Sequence, residues 1–419
     1  LGVLASIPLV ARVLFPHLAA RFRRTASQLL APPQVTRLEL ERTAPDPGPD
    51  EGHRGYSVPE MANVCERLLR DTGLTSGFAR LVVLFGHGSS SLNNPHRSAY
   101  DCGACGGSHG HPNARAVSQM LNDVRVRDIL FQRGIAIPSD SVFVGGFHNT
   151  CADITPFFDL ERLPKSHEAE FAEFAAALRK ACERNAHERC RRFMSAPLNL
   201  SFAAAHRHVA ERSEDLAQTR PELGHATNAI SVVGRRSRTR GLFLDRRAFL
   251  TSYDPTQDTP DSAILLRILS AIFPVCAGIN LEYYFSRVDS TGWGCGTKLP
   301  HNVSALLGVM DGPASDLRTG LPWQMVEIHE PVRLLWVIET TPEAMLSIFE
   351  RNEFIRRMCV NEWVQLATLS PDSDVIHLFR KGRFEVYVPE AKSLPTATSS
   401  TDWYRGWRDH LEFAEIVPG

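Results

Sequence analysis

The sequence has little net charge and few cysteines, and both shortages narrow the range of functions. Forty-six basic residues nearly balance 47 acidic ones among 419 residues, which leaves a formal net charge of −1. A protein that binds nucleic acid through bulk attraction to phosphates needs a positive surplus, so no nucleic-acid partner is expected. Nine scattered cysteines are too few for a disulfide scaffold, and this sparse use indicates a reducing compartment.

The start of the chain lacks an uncharged stretch long enough to span a membrane. The segment LGVLASIPLVARVLFPHLAARFRR is apolar, but Pro8, Arg12 and Pro16 interrupt it before the roughly 18–20 residues of a span. No charged leader precedes it, as a signal peptide would require. We expect one or two helices here, packed in the core rather than against a partner. Because the chain begins at Leu1, we also expect further residues upstream.

The chain has apolar residues for a substantial core and patterns typical of a parallel sheet. Hydrophobic residues make up 43% of it. Two short apolar runs, RLVVLFGHG and DSVFVGGFHNT, predict strands buried on both faces. Between them, NARAVSQMLNDVRVRDILFQRG predicts one helix, capped by Asn113 and closed by Gly134. This order of strand, loop, helix and strand is that of a right-handed parallel crossover.

Further elements are predicted on both sides of this unit. Helices are expected at 58–71, at 165–193 and over SAILLRILSAIFPVCAG, and strands over NAISVVGRR, INLEYYFSRVD and RLLWVIET. Thr341 should cap a helix that begins at Pro342, and Lys381-Gly382 should turn a hairpin. We therefore expect an α/β fold, mainly a parallel sheet with flanking helices. It divides into an N-terminal helical segment and loop (1–57), an α/β core with a helical insertion near 160–225 (58–330), and an α+β C-terminal region (331–419).

One loop has the composition of a metal site. His87 lies just beyond the first apolar run, and a stretch rich in Gly, Ser, Asn and Pro then leads to Cys102 and Cys105. Sites form at the carboxyl ends of parallel strands, and one imidazole with one thiolate suits Zn²⁺. A mononuclear site of His87 and one cysteine is the leading interpretation. The alternatives are a hydrogen-bonded core histidine, a Cys102/Cys105 redox pair, a zinc knuckle of both cysteines, or inert packing.

Other candidates are weaker. His148 ends the second strand at the same edge, and Cys151 and Asp153 follow it, although Asp153 is more typical of a helix or turn cap. The arginine cluster 235–240 is either an anion site or, by preference, a solvated loop. A glycine-rich segment with Cys295, Lys298 and His301 either lines the same cleft or turns the chain.

Three long segments resemble the DabA family, the zinc-binding subunit of a two-component inorganic carbon transporter. They are GHGSSSLNNPHRSAYDCGACGG, HPNARAVSQMLN and HNVSALLGVMDGPASDLRTGLPWQMVEIHEPVRLL. The similarity runs the length of the chain and matches the C-terminal part of the longer family proteins.

The resemblance implies a β-carbonic-anhydrase-like core and a zinc centre with four ligands. These are a Cys and an Asp from a Cys-x-Asp-x-Arg strand, then a His followed, after fourteen intervening residues, by a Cys. His87 and Cys102 have that spacing, so the resemblance assigns those two roles to them and leaves Cys105 as a loop residue. Cys151-Ala-Asp153 lacks the Arg and follows the His, so the first pair is expected upstream of Leu1. No catalytic residue is assigned.

The resemblance also implies zinc-dependent hydration of CO2 to bicarbonate, coupled to cation flow through a multi-pass, antiporter-like (DabB-like) membrane subunit. In such sites the Asp can leave the metal and pair with the Arg, so the site would open when the partner supplies free energy. Without spans of its own, the chain would be peripheral on the cytoplasmic side of the cell membrane. The rival functions are a soluble thiol redox enzyme using Cys102 and Cys105, and a non-catalytic, zinc-stabilised interaction module.

Overall fold

The computed structural model describes residues 2–30, 36–91, 101–102, 105–220, 222–297, 299, 320–390 and 393–417. The chain forms two compact units. Unit 1 comprises Leu1–Arg70, Leu74–Cys190 and Leu200–Glu222, and unit 2 comprises Asp71–Gly73, Arg191–Asn199 and Leu223–Gly419. The three-segment division made from the sequence stays a prediction.

Unit 1 is built on two parallel strands with helices around them. Its elements are α1 (Gly2–Leu14), α2 (Pro16–Leu30), α3 (Val58–Asp71), β1 (Leu81–Gly88), α4 (His111–Asn122), α5 (Val124–Gln132), β2 (Val142–Asn149), α6 (Glu168–Cys190) and α7 (Phe202–Arg212). Both predicted strands are present, and they pair in parallel from Leu81 with Val142 to Gly88 with Asn149. The prediction of burial on both faces holds for β2 but is wrong for β1, which is only partly buried and has Phe85 38% exposed.

The helix predicted between these strands is two helices. It begins at His111 rather than Asn113, with Gly110 as its N-cap residue. The chain then leaves helical geometry at Asp123, whose carboxylate accepts a hydrogen bond from the Arg125 backbone N–H and so caps α5. Gly134, with a φ of +86°, follows the end of α5 as predicted.

The core of unit 1 lies between α3, α4, α5 and the start of the strands. Apolar residues at helical spacing put one face of α3 into it, and the other helices and β2 supply the rest. Its buried members are Met61, Ala62, Cys65, Leu69, Met120, Leu121, Val126, Leu130, Ile135 and Phe143. This packing covers the amino ends of the strands, so the loops at their carboxyl ends are left to build a site.

Unit 2 contains a six-stranded mixed sheet. Its elements are β3 (Ile230–Gly234), β4 (Leu242–Phe243), β5 (Ala248–Ser252), α8 (Ala263–Val288), α9 (Ser290–Trp293), α10 (Trp323–Val326), β6 (Leu335–Glu339), α11 (Pro342–Arg351), α12 (Glu353–Val360), β7 (Gln365–Leu369), β8 (Ile376–Arg380), β9 (Arg383–Tyr387), β10 (Thr396–Ala397), α13 (Ser400–Tyr404) and β11 (Ala414–Ile416).

The strand order of this sheet is β5-β3-β6-β7-β8-β9. The first four strands are parallel, while β8 and β9 form the predicted antiparallel hairpin, with Lys381 and Gly382 at φ of 50° and 82°. The Thr341 cap is confirmed as well, since its side chain accepts a hydrogen bond from the Ala344 N–H. The fold is therefore mixed α/β as predicted, but its sheets are mixed rather than clearly parallel.

The prediction of a helix followed by a strand over residues 262–289 is wrong. These residues form the single helix α8, with Pro274 inside it. Its buried positions keep helical spacing through the segment predicted as a strand, and Phe273 stacks on Trp336 with ring centroids 4.4 Å apart. Asn280 holds the helix against the segments beside it. Its side chain donates a hydrogen bond to the Asn228 carbonyl (3.1 Å) and accepts one from the Leu334 N–H (3.1 Å).

Within the described residues, α8 is the one helix long and apolar enough to cross a membrane, with 39% of its most apolar window buried. A core helix passes the same test, and α8 contributes Leu265, Leu269 and Phe273 to the core of unit 2. The expectation that the chain lacks a candidate span is therefore not confirmed.

Candidate functional site

The two strands of unit 1 place two histidines side by side at their carboxyl ends. His87 on β1 is in register with His148 on β2. Side chains at paired positions of neighbouring strands point to the same face, so both imidazoles face the same side of the sheet. His87 is exposed and His148 is half-buried. The strand end predicted from the apolar run is thus the edge where titratable side chains gather.

A loop packs directly on this strand end because glycines allow it. The Gly110 N–H donates to the His87 carbonyl at 2.7 Å. A Cβ on Gly86 would lie 2.1 Å from the Gly110 carbonyl carbon, so no other residue fits there without moving the backbone. The close approach fixes where the loop rejoins β1, immediately before α4 begins.

Asp101, the residue before Cys102, is hydrogen-bonded to the chain at the end of β1. Its side chain is fully buried, and Oδ1 accepts a hydrogen bond from the Ser89 N–H at 2.8 Å. The same oxygen lies 3.5 Å from His109 Nε2. Since Ser89 follows β1 directly, this contact brings the Asp101–Cys102 segment beside His87.

His87 is held in the protonation state that binds metals. Although the residue as a whole is exposed, surrounding groups partly desolvate its imidazole and so lower the pKa. Asp101 opposes this through its charge and a backbone hydrogen bond, and His148 lowers the pKa further. The net shift is downward from an ordinary value that is already below 7. The lowered pKa favours the neutral imidazole, which is the form that binds a metal ion.

Cys102 and Cys105 lie in one tight turn. The Cys102 carbonyl accepts the N–H groups of Cys105 and Gly107, both at 3.0 Å, and the Cys102 N–H donates to Ser108. A hydrogen bond with Cys102 is the main cause of the raised pKa of the Cys105 thiol. Asn113 Nδ2 also donates to Cys105 Sγ at 3.3 Å. Both thiols are free, and Cys102 is the one adjacent to Asp101.

The Cys151–Asp153 pair serves other partners. Asp153 accepts hydrogen bonds from His148 Nε2 at 2.9 Å and Asn185 Nδ2 at 2.8 Å, and it forms an ion pair with Arg189. Burial opposes ionisation of Asp153, but His148 and Arg189 outweigh it and lower its pKa. Burial raises the pKa of the Cys151 thiol. Asp153 therefore neutralises Arg189 and orients His148. It is a turn residue, with a φ of +51°, as the sequence favoured.

Sequence reasoning missed the contribution of Arg189. It lies on α6, 36 positions after Asp153, and its side chain is 1% exposed. A lone arginine in a charged helix gives no signal of a buried role. The Asp153–Arg189 pair is visible only once α6 packs against the turn after β2.

The donors at this edge fit zinc as part of a larger set. Within the part of the chain that the structure describes, no group of three or more His, Cys, Asp or Glu side chains is arranged to hold a metal. His87 and Cys102 offer one imidazole nitrogen and one sulfur, both of which zinc accepts. Two donors would make up half of a tetrahedral site, so two further ligands would have to be supplied elsewhere.

The arginine cluster predicted from the sequence binds a carboxylate of its own unit. Arg235 and Arg238 bind the buried carboxylate of Glu339, with distances of 2.7 Å from the Arg235 N–H and 2.8 Å from Arg238 Nε. The arginine cluster is therefore neither a simple solvated loop nor a free anion site. Cys295 is buried. Lys298 and His301 lie outside the described residues.

Comparisons with known proteins give one consistent result. The family model described as "Probable inorganic carbon transporter subunit DabA" matches residues 1–364. A Rhodopirellula baltica protein named probable inorganic carbon transporter subunit DabA 2 is 54% identical over 99% of this chain and 39% of its own length. A Sorangium cellulosum relative is 52% identical over 97% of this chain and 40% of its own length. A Methylococcus capsulatus relative is 49% identical over 98% of this chain and 39% of its own length.

No solved structure matches the chain. The chain spans about two fifths of the length of the curated relatives, since its share is 39% of the first and 40% of the second. The family match nevertheless covers most of the 419 residues, including the whole of unit 1 with the His87–Cys102 loop and a large part of unit 2. The chain therefore belongs to the DabA family.

Proposed function

We propose that this chain is part of an inorganic carbon transporter subunit and supplies His87 and Cys102 to a zinc centre that hydrates CO2 to bicarbonate. The observation that carries the transport role is 54% identity over 99% of the chain to a relative named as such a subunit. The zinc role is supported by the strand-end position of His87 and by Asp101, which brings the neighbouring Cys102 to the same edge.

The chain's own residues would hold the ion and keep its ligands in order. His87 would offer an imidazole nitrogen, and Cys102 would offer its sulfur from a turn closed by its own backbone hydrogen bonds. When bound, zinc supplies a Lewis acid that lowers the pKa of a water molecule to about 7. The overall reaction joins CO2 and water to give bicarbonate and one proton. The two remaining ligands are proposed to come from a Cys-x-Asp-x-Arg strand outside this chain.

The face that bears His87 also offers an apolar surface. Phe85 lies two positions before His87 on the same strand, and therefore on the same face of the sheet. Its ring packs against Phe157 with centroids 5.7 Å apart. CO2 is uncharged and apolar, so a surface of this kind beside polar donors suits its approach.

The β-carbonic-anhydrase-like features extend the proposal. Four protein ligands would close the zinc site, and release of the Asp to pair with its Arg would open it. We propose that a multi-pass, antiporter-like membrane subunit supplies the free energy for opening, so that cation flow makes hydration one-way. The chain would then act as a peripheral subunit on the cytoplasmic side. The support is the word subunit in the relatives' names and the resemblance of the motifs.

Uptake of labelled inorganic carbon tests this function. Cells that express the full-length protein with its membrane partner should accumulate labelled bicarbonate, and cells that express either component alone should not. An ionophore that collapses the cation gradient should abolish the accumulation, because coupling makes the reaction one-way. Accumulation without the partner, or accumulation that is insensitive to the ionophore, would rule out the coupled mechanism.

A thiol redox enzyme is the less favoured candidate. Reactive cysteines have lowered pKa values, because the thiolate is the attacking form. In this turn the hydrogen bond with Cys102 raises the pKa of Cys105 instead. A redox enzyme would show a reversible disulfide between the two thiols and no need for metal.

A further inference from the structure

Two of the nine cysteines differ from the others in their exposure. Cys102 and Cys105 are half-buried, whereas the other seven are buried. Burial raises the pKa of the Cys65, Cys276 and Cys359 thiols to about 12, so these thiols stay protonated and unreactive. A small oxidant in solution therefore reaches Cys102 and Cys105 before the other thiols of the chain.

The backbone holds these two cysteines at a separation that suits a disulfide. The Cys105 N–H donates to the Cys102 carbonyl at 3.0 Å, and the Gly107 N–H donates to the same carbonyl at 3.0 Å. Residues three positions apart that are joined in this way have Cα atoms less than about 7 Å apart. A disulfide needs a Cα separation of roughly 4.4–6.8 Å. A bond between the two sulfurs therefore requires little movement of the backbone.

The two side chains already contact each other. A hydrogen bond with Cys102 is the largest influence on the Cys105 thiol. Asn113, on α4, donates from Nδ2 to Cys105 Sγ at 3.3 Å and so restrains that sulfur beside its neighbour. Thiols in hydrogen-bond contact need only a short approach to become covalently joined.

Cys151 lies at the same edge of unit 1 but is set up differently. Its side chain is fully buried, and its S–H donates to Asn149 Oδ1 at 3.1 Å. A thiol that is covered and hydrogen-bonded within the protein is protected from an oxidant in solution. The accessible partner for Cys102 at this edge is therefore Cys105.

Oxidation of the pair balances with a peroxide as the oxidant. One thiol attacks an oxygen of hydrogen peroxide, the O–O bond breaks, and a sulfenic acid and water form. The second sulfur then attacks the first, the S–O bond breaks, and a second water leaves with the proton of the second thiol. The two sulfurs together lose two electrons, and the peroxide accepts them.

A disulfide would take Cys102 out of the proposed zinc centre. Zinc binds the sulfur of cysteine as a thiolate, and a sulfur in a disulfide carries no such charge. Exposed disulfides are reduced readily by small thiols, so reduction restores the ligand. The metal-bound and oxidised forms exclude each other, and this distinguishes a switch from a redox enzyme.

We propose that Cys102 and Cys105 form an oxidation site, at which a peroxide joins the two sulfurs in a reversible disulfide and withdraws Cys102 from metal binding. The loss of zinc rests on the proposed function, whereas the disulfide itself does not. Zinc-dependent hydration would then stop under oxidising conditions and resume when the thiols are reduced.

Peroxide treatment of the full-length protein, purified with its membrane partner under reducing conditions, tests this site. After removal of the reductant and exposure to hydrogen peroxide, the protein is denatured, alkylated, digested and analysed by mass spectrometry. Cys102 and Cys105 should be recovered as a disulfide before the seven buried cysteines of this chain are oxidised. A chromophoric chelator should detect zinc release as the disulfide forms, and dithiothreitol should reverse both changes.

Cys105→Ser is the matched variant, since it removes the second thiol and keeps a small hydrogen-bonding side chain. It should hold zinc before oxidation and release it about tenfold more slowly than the wild type in peroxide, because no disulfide can form. Release at the wild-type rate, zinc retained after disulfide formation, or a disulfide with another cysteine would overturn the inference. If the unoxidised protein held no zinc, the proposed function would fail instead, and the disulfide measurement alone would decide the inference.

Discussion

Replacing His87 or Cys102 with alanine should remove nearly all zinc from the full-length protein purified with its membrane partner. Each substitution deletes one of the four proposed ligands, and the two that remain with the other residue of this chain come from a separate strand, so the ion loses half of the ligands that this chain supplies. His87 lies at the exposed end of β1 and Cys102 in a surface loop, so neither change opens a core cavity. Metal analysis by mass spectrometry, together with the melting temperature, would show zinc loss without unfolding.

Cys105→Ala is the matched control for this experiment. Cys105 lies three positions from Cys102 in the same turn and donates its backbone N–H to the Cys102 carbonyl. That N–H survives the substitution, so most of the zinc should remain. If Cys105→Ala abolished zinc binding while His87→Ala preserved it, the ligand assignment would be wrong and a cysteine knuckle would replace it.

Arg189→Met should lower the free energy of unfolding by about 3–5 kcal/mol, the range for a buried ion pair that loses one partner. The side chains of Arg189 and Asp153 are each 1% exposed, so the variant leaves the Asp153 carboxylate buried without its main counter-charge. Arg189 also donates to the Thr150 carbonyl at 2.9 Å, and this contact is lost as well. Urea denaturation followed by circular dichroism measures the change.

The double variant Asp153→Asn/Arg189→Met should recover much of this loss, because no charge is then left buried alone.

The pH dependence of stability provides a second control. The pKa of Asp153 is lowered in the folded protein, so the stability it contributes is complete above its unfolded value of about 3.9 and is lost as the pH falls through the folded pKa. The difference in free energy of unfolding between the wild type and Arg189→Met should therefore narrow as the pH falls through the folded pKa of Asp153. A gap that stayed constant would mean that packing, not charge, accounts for the loss.

The strands of unit 1 were predictable because short, continuous apolar runs rich in β-branched residues favour strands. LVVLF and VFV are such runs, and glycine or asparagine ends each strand, although only β2 is buried on both faces. The position of His87 at the edge follows from the same pattern. The break at Asp123 was missed because an aspartate within a helical pattern gives the same signal whether it caps a new helix or faces solvent.

Tertiary packing overrode local preference in two other places. The aromatic and β-branched residues of INLEYYF favour a strand, yet the burial of Asn280, Tyr283 and Ser286 at helical spacing keeps α8 continuous. In α1 and α2, the sequence shows an apolar stripe but not what covers it. Burial depends on the partner, and in the described residues of unit 1 the arginines, not the stripe, face inward.

X-ray absorption at the zinc edge of the full-length protein in its transporter complex tests the shared ligation by His87 and Cys102 most directly. The spectrum should show sulfur near 2.3 Å and nitrogen near 2.0 Å, the ordinary zinc distances. In Cys102→Ala with zinc restored at high concentration, one sulfur neighbour should disappear, and in His87→Ala the imidazole signal should disappear. A zinc shell unchanged by both substitutions would contradict the assignment.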